Sequence, residues 1–161
     1  MRMLVAALID WPARVAAHFR WLGPLIARLV VGYVFLLSGW GKLQNLPLVT
    51  KNFIDWGIPL PHVLTPFVSG LEFVGGVLLL VGLLTRFAGG ALAVVMVVAV
   101  KSALWDQVDS LETLLGFEET AYFAIFAWLA IAGPGALSVD ALLQRLTSSR
   151  NDKAAARAAS A

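Results

Sequence analysis

The stretch VLTPFVSGLEFVGGVLLLVGLL, residues 63–84, decides the fold. It is largely apolar, and its single charge is one carboxylate, Glu72, near its middle. At 1.5 Å rise per residue, about 20 apolar residues of helix cross the ~30 Å hydrocarbon core of a bilayer. Lipid offers no hydrogen-bond partners, so the backbone here must satisfy itself as an α-helix. An acid placed at that depth is costly to insert and therefore needs a partner or a task.

Three further stretches have the same character: about 21–42, about 87–105, and about 120–137, the last free of charge between Glu119 and Asp140. The expected fold class is thus all-α, an integral membrane four-helix bundle. The composition agrees. Of 161 residues, 60% are hydrophobic and 14% charged, against about 25% charged in soluble domains. Residues 1–147 read as a single four-span domain.

Outside the spans, Met1–Arg20 mixes Leu4, Leu8, Trp11, Val15 and Phe19 with Arg2, Arg14, His18 and Arg20. This is the pattern of an N-terminal interfacial helix, with a break expected near Pro12. The apolar run is too short, and too soon interrupted by Asp10, for a cleaved signal peptide. The longest connection, Leu43–His62, holds three prolines and Trp56, as expected of a partly structured outer loop. Thr85-Arg86 makes a tight turn that forces the second and third spans to be antiparallel neighbours. Gly133-Pro134-Gly135 stops the fourth span. Ser138 is placed to cap a short C-terminal amphipathic helix containing Val139, Leu142, Leu143 and Leu146. The Ala- and Ser-rich remainder, 148–161, is expected to be a disordered cytoplasmic tail.

Arg2, Arg14, Arg20, Arg86, Arg145, Arg150, Lys153 and Arg157 fall on one side of these spans, and the connection with Asp106, Asp109, Glu112, Glu118 and Glu119 on the other. The positive-inside rule then gives a multi-pass protein with both termini cytoplasmic. Cysteine is absent and only His18 and His62 are available. Thiolate chemistry, cysteine-ligated clusters and cysteine–zinc sites are therefore beyond this chain alone. No metal site, haem or iron–sulfur cluster is expected, and nothing points to nucleic acid. The bilayer is the first partner. So short a chain would need protein partners or a homo-oligomer to build a transport pathway.

Helical spacing brings the intramembrane charges to the small-residue faces. Arg28, Gly32, Gly39 and Lys42 share an arc of the first span; Ser69, Glu72, Gly75 and Gly76 share one side of the second. Gly90, Ala93, Val97 and Lys101 align on the third. Turned inward, these faces form an intramembrane polar pocket of Arg28, Lys42, Glu72 and Lys101. Glu72 is expected to pair with Lys101 or Arg28, with Lys42 at the rim. Ser69, Glu119 and Tyr122 are secondary candidates. Snorkelling competes with this reading for Lys42 and Lys101, and a pair that only fixes helix register competes for Glu72.

The sequence resembles the DoxX family of small four-span bacterial membrane proteins over about Arg28–Asp140. The residues that carry the resemblance are Arg28 with Phe35-Leu-Leu-Ser-Gly-Trp-Gly-Lys-Leu43, Gly57-Ile-Pro59, Glu72-Phe-Val-Gly-Gly76 through to Thr85-Arg86, and Gly133-Pro-Gly-Ala-Leu-Ser-Val-Asp140. The resemblance implies an inner-membrane bundle associated with redox assemblies, and it maps the family's motif positions onto Arg28, Lys42-Leu43 and Glu72. Relatives that handle thiols through their own cysteines are no guide to a chain that has none. The expected function is a membrane subunit or anchor of a redox-linked complex, non-catalytic alone, whose pocket would suit a quinone headgroup. A scaffold that recruits partners without chemistry of its own, and an oligomeric carrier or channel for a small solute or proton, are the alternatives.

Overall fold

The computed structural model describes Leu8 and residues 10–148, and every described element of secondary structure is helical. The expected tail falls almost wholly outside the described residues, as does most of the segment preceding Trp11. Helix α1 is Trp11–His18, α2 Leu22–Gln44, α3 Leu46–Asp55, α4 Pro61–Val81 and α5 Thr85–Ala99. A π-helical turn at Val100–Leu104 and a 3₁₀ turn at Trp105–Gln107 continue α5. Helices α6, Leu111–Gly116, and α7, Glu118–Ala132, follow, and residues 139–148 form α8.

Three of these are long and apolar enough to cross a bilayer: Leu22–Gln44, Pro61–Val81 and Thr85–Gln107. Helix α7, at 15 residues, is about 22 Å long by the helical rise. It ends at Ala132, at the Gly133-Pro134-Gly135 stop expected from sequence and short of the outer bound near 137, because Gly133 turns to φ +87° and Pro134 cannot continue a helix. Pro12, where a break was expected, instead lies in the first turn of α1, where its missing N–H costs nothing. The outer connection also carries more order than expected, since α3 occupies half of it and anchors itself through buried Phe53.

The helices pack most extensively as two pairs, α2 against α4 and α5 against α7. Both pairs close on glycine. An ideal β-carbon at Gly39 would lie 2.7 Å from the Cα of Phe73, and one at Gly89 would lie 2.9 Å from the carbonyl oxygen of Phe126. Between the pairs sits an apolar core of Val31, Phe35, Leu79, Leu92, Met96, Phe126 and Leu129. Phe35 meets Phe126 and Tyr122 edge-on at centroid distances of 4.7 and 5.4 Å, the geometry aromatic quadrupoles favour.

The inward face of α5 differs from the sequence reading. Thr85, Ala88, Gly89, Leu92, Ala93 and Met96 are buried, whereas a β-carbon at Gly90 would meet nothing and Val97 is exposed. Two adjacent glycines offered two possible small faces. The close approach of the α7 backbone selects Gly89.

Candidate functional site

Glu72 lies on the buried face of α4, in line with Ser69, Gly75, Gly76 and Leu79. Its partner is Lys42. The ammonium donates to both carboxylate oxygens at 2.6 Å, and Ser38, one turn earlier on α2, donates to Oε2 at 3.0 Å. The glycine contact explains the reach. Gly39 lets the α2 backbone rest on Phe73, the neighbour of Glu72, so the lysine stem from the next turn spans the gap. Charge-assisted bonds of this length are the strong class. The Glu72 side chain is 2% exposed and that of Lys42 is 35% exposed. The pair is closed toward the protein and open at its cationic end.

Around it the lining is polar and enclosed on the α4 side. Ser69 is buried and donates to the Thr65 carbonyl at 2.7 Å; the Thr65 hydroxyl is buried and has no hydrogen-bond partner among the described residues. Trp40 and Phe73 stack obliquely at 5.6 Å on the same pair of helices.

The pairing expected from sequence, Glu72 with Lys101 or Arg28, is not the one formed. Lys101 is exposed on the π-helical turn and lies 4.1 Å over the ring of Trp105, a cation–π contact. Arg28 is buried near the opposite end of α2, where its Nη2 donates to the Leu137 carbonyl at 2.5 Å. Its Nε and Nη1 find no partner among the described residues, and Asp140 supplies the neighbouring negative charge. Of the secondary candidates, Ser69 lies beside Glu72 along α4, Tyr122 belongs to the aromatic core, and Glu119 sits half-buried in the first turn of α7. The residues expected to form one pocket are divided between two ends of the bundle.

The Arg28 end is tied by residues that the sequence reading did not select for a site. Asp140 caps the start of α5, accepting from the Leu84 and Thr85 amides at 2.9 and 3.1 Å, while its own amide donates to the Gly82 carbonyl at 3.0 Å. Those bonds hold Leu84 in the left-handed region at φ +50°, a conformation that costs on the order of 1–2 kcal/mol outside glycine. Arg86 donates to the Ala130 carbonyl at 3.0 Å and to that of Ile131, closing the C-terminus of α7 where the helix dipole favours a cation. Gly133 leaves room for that guanidinium, since its β-carbon would lie 2.9 Å from Nη2. The signals were present: a serine four residues before Lys42, and an acid following a Gly-Pro-Gly stop. Nothing local said which turn the acid would reach.

Chemically, the Lys42–Glu72–Ser38 group offers a partly exposed ammonium donor backed by a buried carboxylate that can hold a proton. An oxygen-bearing headgroup approaching the open side would meet the ammonium first.

A family model described as DoxX matches residues 23–105. The chain is 30% identical to the inner membrane protein YqjF of Escherichia coli (strain K12) over 77% of its own length and 94% of that relative. It is 26% identical to the inner membrane protein YphA of the same organism, over 72% of this chain and 86% of YphA. A Bacillus subtilis (strain 168) protein whose name is "Putative oxidoreductase CatD" is 30% identical over 49% of this chain and 58% of that relative. No solved structure matches the chain.

Proposed function

The chain belongs to the DoxX family, and on that footing we propose that it is an inner-membrane subunit or anchor of a redox-linked complex, with Lys42, Glu72 and Ser38 as its quinone-facing group. In this reading residues 1–147 form one domain of four spans, α7 being the short fourth, and both termini are cytoplasmic. Helices α1 and α8 then flank the bundle on the cytoplasmic side, and α3 and α6 lie outside.

The single observation that carries the reading is the exposure contrast within the ion pair, 35% for Lys42 and 2% for Glu72. Reduction of a quinone takes two electrons and two protons. In this reading the electrons come from an oxidoreductase partner and not from a dithiol of this chain, which has no cysteine. The ammonium of Lys42 fits the task of donating a hydrogen bond to a quinone carbonyl oxygen. Glu72, ionised beside that ammonium, keeps the site neutral. Once Lys42 has passed a proton to the reduced quinone, the carboxylate takes up a replacement from the aqueous side and hands it to the amine, and the second proton follows the same path. The name of the Bacillus relative is consistent with redox work, and the two E. coli names with the inner membrane.

The test is quinone binding and quinol formation by the complex isolated with this subunit. Glu72→Gln and Lys42→Met are expected to reduce both, with the complex still assembled. If both variants retain quinone binding and turnover at full expression, the redox role of this group is abandoned.

A second reading draws on the same carboxylate. Both oxygens are already held by α2 donors, so the pair also suits a register lock within a scaffold that recruits partners through the acidic connection at Asp106–Glu112. A stable partner lost on replacing that connection, but kept in Glu72→Gln, would favour it.

A further inference from the structure

Helix α1 buries none of its residues, yet it is strongly two-sided. Trp11, Val15 and the C-cap residue Phe19 are all exposed and fall within about 80° of arc at 100° per residue. Arg14 and His18 flank that arc, and Arg20 follows the helix. Helix α8 repeats the arrangement. Asp140 turns inward to cap α5, while Leu142, Leu143 and Leu146 are exposed and Arg145 borders them. The two helices belong to one end of the bundle. Gly135, just ahead of α8, is packed so tightly on Pro24 in the first turn of α2 that its β-carbon would lie 2.9 Å from the Pro24 Cβ. Only Phe19, Arg20 and Trp21 separate α1 from that first turn of α2.

We propose that α1 and α8 together form a collar that binds the anionic phospholipids of the leaflet at this end. The apolar arcs match the headgroup–acyl boundary, and tryptophan and phenylalanine are suited to that depth. The flanking charges choose the occupant. Both helices carry arginine beside their apolar arc, so a second copy laid on the same face would oppose like charges. A phosphate-bearing, net-negative lipid surface complements them. Arg150, Lys153 and Arg157 add further positive charge to the sequence following α8. Each basic residue near an anionic surface contributes roughly fivefold in affinity. The inference needs only that this end meets the membrane surface, so failure of the redox reading would leave it standing.

The experiment is hydrogen–deuterium exchange on the full chain, one copy per lipid nanodisc, in discs of phosphatidylcholine alone and in discs containing one-third phosphatidylglycerol. Amides of residues 11–18 and 139–148 are expected to exchange several-fold more slowly in the anionic discs, while those of α2 and α4 are unchanged. Raised salt should erase the difference, since charges at the surface are screened within about 10 Å at 0.1 M. Arg14→Gln combined with Arg145→Gln should erase it as well, and Arg14→Gln alone should reduce it. Equal exchange in the two kinds of disc, a difference that survives the double substitution, or protection that appears only with two copies per disc would each overturn the proposal. The salt series on the unaltered chain keeps it testable even where the double variant fails to fold.

Discussion

Replacing Gly39 by alanine should loosen the α2–α4 pair and break the Lys42–Glu72 contact with it. The added β-carbon would stand 2.7 Å from the Cα of Phe73 and 2.8 Å from the carbonyl oxygen of Ser69. Carbon atoms in comfortable contact lie about 3.5–4.0 Å apart, so the two helices must separate by about 1 Å. The obstacle is main chain on a neighbouring helix, which cannot step aside as a side-chain tip can. The cost therefore falls at the upper end of the ~1–3 kcal/mol range for overpacked cores. A separation of that size carries the 2.6 Å ammonium–carboxylate distances to roughly 3.6 Å, beyond hydrogen-bonding range. Gly41 is the control. Its β-carbon meets nothing within 4 Å, and alanine there should be neutral or stabilising by up to about 1 kcal/mol through helix propensity. Thermal unfolding in detergent micelles, followed by tryptophan fluorescence, measures both. If Gly39→Ala melts with Gly41→Ala, the close-approach reasoning fails.

Removing Lys42 as Lys42→Met should destabilise by about 3 kcal/mol, because a buried carboxylate left without its cation is the expensive case; the double variant with Glu72→Leu should recover most of that, and additive single effects would deny the coupling. Asp140→Ala removes the acceptor of two amides and should cost about 1–2 kcal/mol, as loss of a helix cap does, with faster amide exchange at Leu84 and Thr85 as the local readout. Gly82→Ala should be worse than Gly90→Ala by more than 1 kcal/mol, since Gly82 sits at φ +71° against Arg28 and Ser138 whereas Gly90 faces open space. At the acidic connection, hydrogen bonds from Thr113 and Ser110 hold the Asp109 carboxyl below its ordinary value of 3.8. The sign follows from linkage. A depressed carboxylate stabilises the start of α6 above its unfolded value, and that contribution fades as pH falls through the lower folded value, so exchange at Thr113 should quicken only under acid conditions and be flat across neutral pH.

Much of this protein is legible without coordinates. The apolar length of residues 63–84, the absence of water as a hydrogen-bond partner and the scarcity of charge along the spans are local quantities, and they force helices that belong in a bilayer. Helical periodicity also identified Glu72, Arg28 and Gly39 as inward-facing, because on α2 and α4 a single stripe of small residues left no rival face. Local quantities stop at the choice of partner. Whether Lys42, Lys101 or Arg28 meets Glu72 depends on how closely two backbones approach and at what axial offset. That was decided by Gly39 resting on Phe73, by a π-helical turn that leaves Lys101 beside Trp105, and by the fold-back of residues 133–140 that claims Arg28 for the other end. Equally, Gly89 and Gly90 are indistinguishable along the chain, and only the α7 main chain pressing on one of them separates inside from outside. Periodicity fixes which side of a helix is small or polar; contact between helices is a property of three dimensions, set by steric fit across sequence separations that no window spans.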